Sequence, residues 1–172
     1  MSKIIVIDTS ILCCHLQVPG KETCGPLHDV WTYERVEKEI QQAIQDKCTL
    51  VLPLATIIET GNHIAQAAGN RFEVAQKFAA ILKLTAQNQT PWAAFVDQSV
   101  LWTEEGLMTL AKEWPSYAAQ GLAIGDTTIK NVADYYAATG KTVKILTGDE
   151  LLRAYEPAPK DVPNVPKPRR RK

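Results

Sequence analysis

Four acidic residues, Asp8, Glu59, Asp126 and Asp149, fall where a carboxylate is hard to explain as ordinary surface charge. Asp8 is the lone charge in the apolar run "IIVIDTSIL", residues 4 to 12. An ionised carboxylate is costly to bury without partners. Asp8 is therefore either paired or placed where a strand opens to water and does chemistry there. Asp149 follows the apolar segment "TVKIL" through Thr147 and Gly148. Glu59 lies a turn into the helical segment after "TLVLP", and Asp126 comes directly after the stretch 121–125. Singly, Asp126 reads as a helix N-cap, Asp149 as a turn residue beside Gly148, and Glu59 as part of a solvated helix face. Gathered together, four carboxylates repel one another, which raises their pKa values and lowers stability. A hard divalent cation removes that conflict, because Mg²⁺ and Mn²⁺ take oxygen ligands and link carboxylates to phosphates. The arrangement implied is an acidic metal pocket with Asp8 as its central ligand. No Ser-His-Asp or Cys-His pattern offers a side-chain nucleophile.

Whether the four meet depends on the elements that carry them. Residues 3–7 read as a buried strand, and so do 49–53, 93–97 and 142–146. One apolar helical face starts after Val30, with Tyr33, Val36, Ile40, Ala43 and Ile44. Further helices are predicted over 54–68, with Gly61 weakening it locally, and over 71–87, with Phe72, Ala75, Phe78, Ala79 and Leu82 inward. Residues 103–113 form another, ended by Pro115. The next runs from about Asp126, in an N-cap-like position, to Thr139 and closes at Gly140. A short helix covers "GDELLRAY". Residues 13–29 lack a period, contain Pro19, Gly20, Gly25 and Pro26, and read as a loop. This order predicts an α/β domain, a three-layer α/β/α arrangement around a mostly parallel sheet covered on both faces. In such a sheet the strand C-termini and the starts of the following helices share one edge, where ligands bind. The four acids are expected to converge there.

"IIVIDTSIL", "LPLATIIETGNHI" and "AIGDTTIKNVADYYAATGKTVKILTGDELL" resemble the successive motifs of the PIN-domain family. The likeness runs from about residue 3 to 153. It implies a Rossmann-like sheet and a metal-dependent ribonuclease that uses Mg²⁺ or Mn²⁺ and leaves 5′-phosphate and 3′-hydroxyl ends. It puts Asp8, Glu59, Asp126 and Asp149 in the acidic cluster, with Thr9, Ser10 and Thr147 as polar helpers near the metal. Many members are VapC-type toxins restrained by an antitoxin. An antitoxin-like protein and a second copy of the chain are therefore candidate partners beside the RNA substrate. Compared with compact toxins this chain has an extended 13–29 loop, an enlarged 88–120 stretch and a Pro/Arg tail. A rival within the same resemblance is a catalytically inactive PIN-like protein that binds RNA or regulates. A receiver-type domain also places an Asp after its first strand, but the consecutive helices of 54–120 break its regular alternation, and it leaves Glu59 and Asp126 unexplained.

The remaining features bound the reading. At 172 residues, 45% hydrophobic and 22% charged, the chain suits one globular domain over 1–156, with a Pro-rich basic tail over 157–172 that is expected to be disordered. The tail carries six cations against Asp161, a net +5, which leaves the zero-charge chain with a body of −5. Arg169, Arg170, Arg171 and Lys172 are its candidate nucleic-acid contacts, raising local RNA concentration by electrostatic attraction. No apolar run reaches the length of a membrane span. The opening segment is too short and too soon broken by Asp8 for a secretory signal, so a cytoplasmic protein is expected. Cys13, Cys14, Cys24 and Cys48 show no regular spacing and read as free thiols, and a zinc site of Cys13, Cys14, His15, Cys24 and His28 lacks the usual C-x₂₋₄-C spacing. His63, four residues after Glu59, is a candidate phosphate contact or, more simply, a surface histidine. Asp134 reads as a solvated helix residue. The four tryptophans read as packing residues rather than base-stacking platforms.

Overall fold

The structure, a computed structural model, describes residues 3–93 and 95–159. The tail contacts expected at Arg169, Arg170, Arg171 and Lys172 lie outside the described residues. Three parallel strands, β1 (Lys3–Ile7), β2 (Thr49–Val51) and β3 (Thr142–Leu146), form a sheet of order β2-β1-β3. The α-helices are α1 (Thr9–Leu16), α2 (Tyr33–Gln45), α3 (Leu54–Gln66), α4 (Arg71–Ala86), α5 (Glu104–Ala118), α6 (Ile124–Ala138) and α7 (Glu150–Arg153). A 3-10 helix spans Phe95–Trp102. No helix among the described residues is long and apolar enough to cross a membrane.

The unbroken apolar run of β1 follows from its central place. Side chains alternate across a strand. Ile5 and Ile7 enter one core with Leu12, Val36, Ile40, Val74 and Phe78, from α1, α2 and α4. Ile4 and Val6 enter a second core on the opposite face, with Ile129, Val132 and Tyr136 of α6. A strand buried on both faces has no polar side to alternate with. The free edge of β3 is blunted where the Ile145 N–H donates to the Glu156 carboxylate at 2.8 Å, one of the ways a sheet edge is protected from further pairing.

The structure departs from the sequence expectations in five places. Residues 13–16 belong to α1, not to a loop. That helix shows no amphipathic period because Ile11, Leu12, Cys13, Cys14 and Leu16 are all buried, against the sheet and three other helices. Among the described residues no strand forms over 93–97: the chain touches β2 through a parallel bridge, Leu50 to Trp92, and a 3-10 helix begins at Phe95. The buried Gln98 amide there donates to the Leu52 carbonyl at 3.1 Å. Helix α5 continues through Pro115 to Ala118; Ala111 and Pro115 are both exposed, so the carbonyl that loses its donor lies on the solvent side. The buried face of α4 is Val74, Phe78, Ile81 and Thr85, and Phe72 is exposed. Its neighbouring Ala75 and Ala79 are small enough to follow either face, which left the period ambiguous. Finally, α6 starts at Ile124 with Ala123 as its N-cap, which places Asp126 inside the first turn rather than at the cap.

Candidate active site

The pairing of Ile7 with Leu146 sets Asp8 beside Thr147 at the C-terminal edge of the sheet, and the Asp8 N–H donates to the Leu146 carbonyl at 3.0 Å. The order β2-β1-β3 places β1 where the chain changes direction across the sheet, the position at which parallel α/β sheets open a crevice. The crevice here is a cleft of about 290 Å³ lined by Asp8, Glu59, Asp126 and Asp149, together with Thr9, Ser10 and His63. Four elements supply the four acids: the end of β1, the second turn of α3, the first turn of α6 and the turn after β3.

Asp8 is buried and fully engaged. Its Oδ1 accepts from the Thr9 N–H at 2.6 Å. Its Oδ2 accepts from the Ser10 hydroxyl at 2.6 Å and the Thr147 hydroxyl at 2.8 Å. Both hydroxyls are themselves oriented, since Ser10 Oγ accepts from the Gly148 N–H at 3.0 Å and Thr147 Oγ1 from the Asp149 N–H at 2.9 Å. Asp8 is thus also the N-cap of α1. Thr9 turns its hydroxyl the other way and donates to Glu59 Oε2 at 3.0 Å. Asp149 caps the short α7, its Oδ1 accepting from the Leu151 N–H at 2.8 Å. Its bland reading as a turn residue holds alongside its place in the cleft.

Asp126 stands in the field of the other three acids. Partial burial, then the charges of Asp8, Asp149 and Glu59, push its carboxyl up to about 6, against an opposing hydrogen bond from the Ala123 N–H. That backward reach from the third helical residue to the N-cap is one half of a capping box. Gly125 lies tight against the Glu59 carboxylate, which would have to shift to admit a Cβ there. The donor set fits a hard divalent cation in kind: carboxylate and hydroxyl oxygens, and one acid whose ionisation its neighbours oppose. As the side chains stand, no group of three or more His, Cys, Asp or Glu among the described residues is gathered to hold an ion. Asp8, Glu59 and Asp149 are engaged with protein donors instead.

Sequence reading missed the part of the cleft built by the chain between α1 and α2, which contributes Lys21, Thr23 and Cys24. Cys24 and Trp31 exchange backbone hydrogen bonds and close a small hairpin. That hairpin lies on the Thr147–Asp149 turn, where a Cβ on Gly148 would stand 2.8 Å from Cys24 Sγ and 2.9 Å from the Gly25 nitrogen. Gly148→Ala is therefore expected to lift the hairpin and cost about 1–3 kcal/mol by overpacking. A thermal melt unchanged from wild type would contradict it. Nothing in the periodicity of 17–32 signals this role, because the hairpin is held by a glycine more than a hundred residues away.

Cys13 and Cys24 line the cleft, but burial pushes both thiols up, Cys13 to about 11. Neither is a thiolate nucleophile. His15 pairs with Glu37 and His28 with Glu150, and the four cysteines are free thiols. Asp134 pairs with Lys130 at 2.7 Å, outside the acidic cleft. Trp31 and Trp92 are buried, and Trp102 and Trp114 are half-buried. No family model, curated protein or solved structure matches the chain.

Proposed function

We propose that the chain is a metal-dependent endoribonuclease of PIN-like fold, hydrolysing RNA phosphodiester bonds at a Mg²⁺ or Mn²⁺ site held by Asp8, Glu59, Asp126 and Asp149. The single observation that carries this reading is the convergence of those four carboxylates, from four separate elements, on one cleft at the C-terminal edge of a parallel sheet. A divalent cation bound there supplies Lewis acidity, easing deprotonation of an attacking water and offsetting charge on the phosphate. The protein's own part is positioning. Ser10 and Thr147 hold Asp8 in one orientation, and Thr9 holds Glu59. His63, half-buried and lining the same cleft as Glu59, is the residue we assign to a phosphate oxygen.

The test is cleavage of a panel of RNA and single-stranded DNA with and without Mn²⁺. Millimolar EDTA is expected to abolish cleavage, and Ca²⁺ not to restore it, because its larger and looser shell suits in-line geometry poorly. Saturating Mn²⁺ is expected to stabilise the folded protein by about 2–3 kcal/mol at a hundredfold excess over its Kd, read as a rise in Tm of several degrees. Full activity in the chelator would remove the metal mechanism. A second reading, a PIN-like protein that binds RNA without cutting it, is favoured by the engagement of Asp8, Glu59 and Asp149 with protein donors. RNA binding without cleavage under any divalent cation would establish it. A toxin role predicts a small antitoxin-like reading frame beside the gene.

A further inference from the structure

We propose that Lys21 is the substrate-phosphate contact of the cleft, the residue through which an acidic body holds a polyanion; this rests on the reading of the cleft as an RNA site. Among the described residues, Lys21 is the one lysine or arginine that lines it. Its ammonium makes no ion pair among the described residues. A phosphodiester approaching four carboxylates is repelled unless cations face it. A bound divalent ion would meet the phosphate at the carboxylates, and Lys21, on the segment between α1 and α2 that lines the same cleft, would meet it as a point charge with three donors.

The backbone around Lys21 is fixed although its side chain is exposed. The Lys21 N–H donates to the carbonyl of buried Val18 at 2.8 Å. Three residues later the chain enters the Cys24–Trp31 hairpin, which is fastened at its far side. The two Asp29 oxygens accept from Arg35 and from Arg153, each at 2.7 Å. Arg153 also donates to the Thr147 carbonyl at 2.8 Å, on the turn that bears Asp149. The segment carrying Lys21 is thus tied to the turn that bears Asp149, so that only the side chain, and not the backbone, remains to be ordered on a bound phosphate.

The competing role for Lys21 is counter-charge to the carboxylates themselves. The two roles differ in what a neutral variant does. As a phosphate contact, Lys21→Met raises the Kd for a labelled single-stranded RNA about tenfold, the loss of one charge-assisted hydrogen bond. The measurement is fluorescence anisotropy in Ca²⁺, so that no turnover is needed. The slope of log K against log salt becomes shallower by about 0.7. With Mn²⁺, KM rises similarly while kcat stays within about twofold of wild type. Lys21→Arg restores most of the affinity, and Lys112→Met, on the exposed side of α5, changes nothing. As a counter-charge, Lys21→Met instead tightens Mn²⁺ binding, read from thermal titration, and leaves the RNA Kd and KM unmoved; that result overturns the proposal. If the wild type binds RNA in a Lys21-dependent way but cuts nothing, the hydrolytic reading falls and Lys21 keeps its role. A wild type that binds no RNA overturns both.

Discussion

Asp126→Asn is expected to abolish Mn²⁺-dependent cleavage while making the metal-free protein more stable at neutral pH. The carboxyl of Asp126 is raised to about 6 by burial and by Asp8, Asp149 and Glu59, from an ordinary value of 3.8. A group whose folded pKa is raised leaves the protein at its full stability below the unfolded pKa, and that stability is lost as pH rises through the folded pKa. The window is therefore about pH 4 to 6, and above it the wild type carries the whole penalty of an ionised Asp126. At face value the shift corresponds to about 3 kcal/mol. Asp126 is only half-buried, so solvent screening reduces this to about 1–2 kcal/mol. Asparagine keeps an oxygen to accept from the Ala123 N–H and removes the charge. The expected gain in Tm is about 4 °C at pH 7.5 in EDTA, vanishing near pH 4. An equal gain at both pH values would show that charge is not its cause, and a variant that still cuts RNA at the wild-type rate would remove Asp126 from the site.

Asp8→Asn is expected to abolish cleavage too, but to destabilise. A simple picture of four mutually repelling acids makes the two substitutions equivalent. The structure separates them. Asp8 accepts from the Thr9 N–H and from the hydroxyls of Ser10 and Thr147, inside a buried cage of donors. An asparagine amide must turn its NH₂ toward one set of those donors and loses the charge that strengthens the others. Hydrogen bonds to a charged group contribute about 1.5–3 kcal/mol each, and loss of an N-cap costs about 1 kcal/mol. Relief of repulsion with Asp126 offsets part of this, leaving a net loss of about 2 kcal/mol. Denaturant titration of the two variants side by side, in EDTA at pH 7.5, is expected to place them on opposite sides of wild type. An Asp8→Asn protein as stable as Asp126→Asn would mean that the donor cage contributes little to the fold.

The contrast also shows which features of the molecule are local. Apolar runs, caps and breakers are written in neighbouring residues. "KIIVI", "TLV" and "TVKIL" are therefore readable as strands, α3 and α6 as helices to within a few residues, and Asp8 as a carboxylate needing partners. A continuous apolar strand implies helices on both faces, and that layering is present. The shared edge of a parallel sheet was enough to bring Asp8, Glu59, Asp126 and Asp149 into one expected cluster, and all four line the cleft. Tertiary structure alone decided the rest. Six of the eight residues of helix α1 are buried, so its sequence carries no amphipathic period to announce it. The 93–97 stretch has strand-like residues, but the bridge to β2 is made before it, at Trp92, and Gln98 beyond it is drawn to the Leu52 carbonyl. The place of Lys21 in the cleft depends on Gly148 leaving room for Cys24 and on Arg153 holding Asp29, contacts across more than a hundred residues. Short-range pattern encodes which groups are expensive to leave unpartnered. The partner that satisfies each of them is settled only when distant segments compete for the same space.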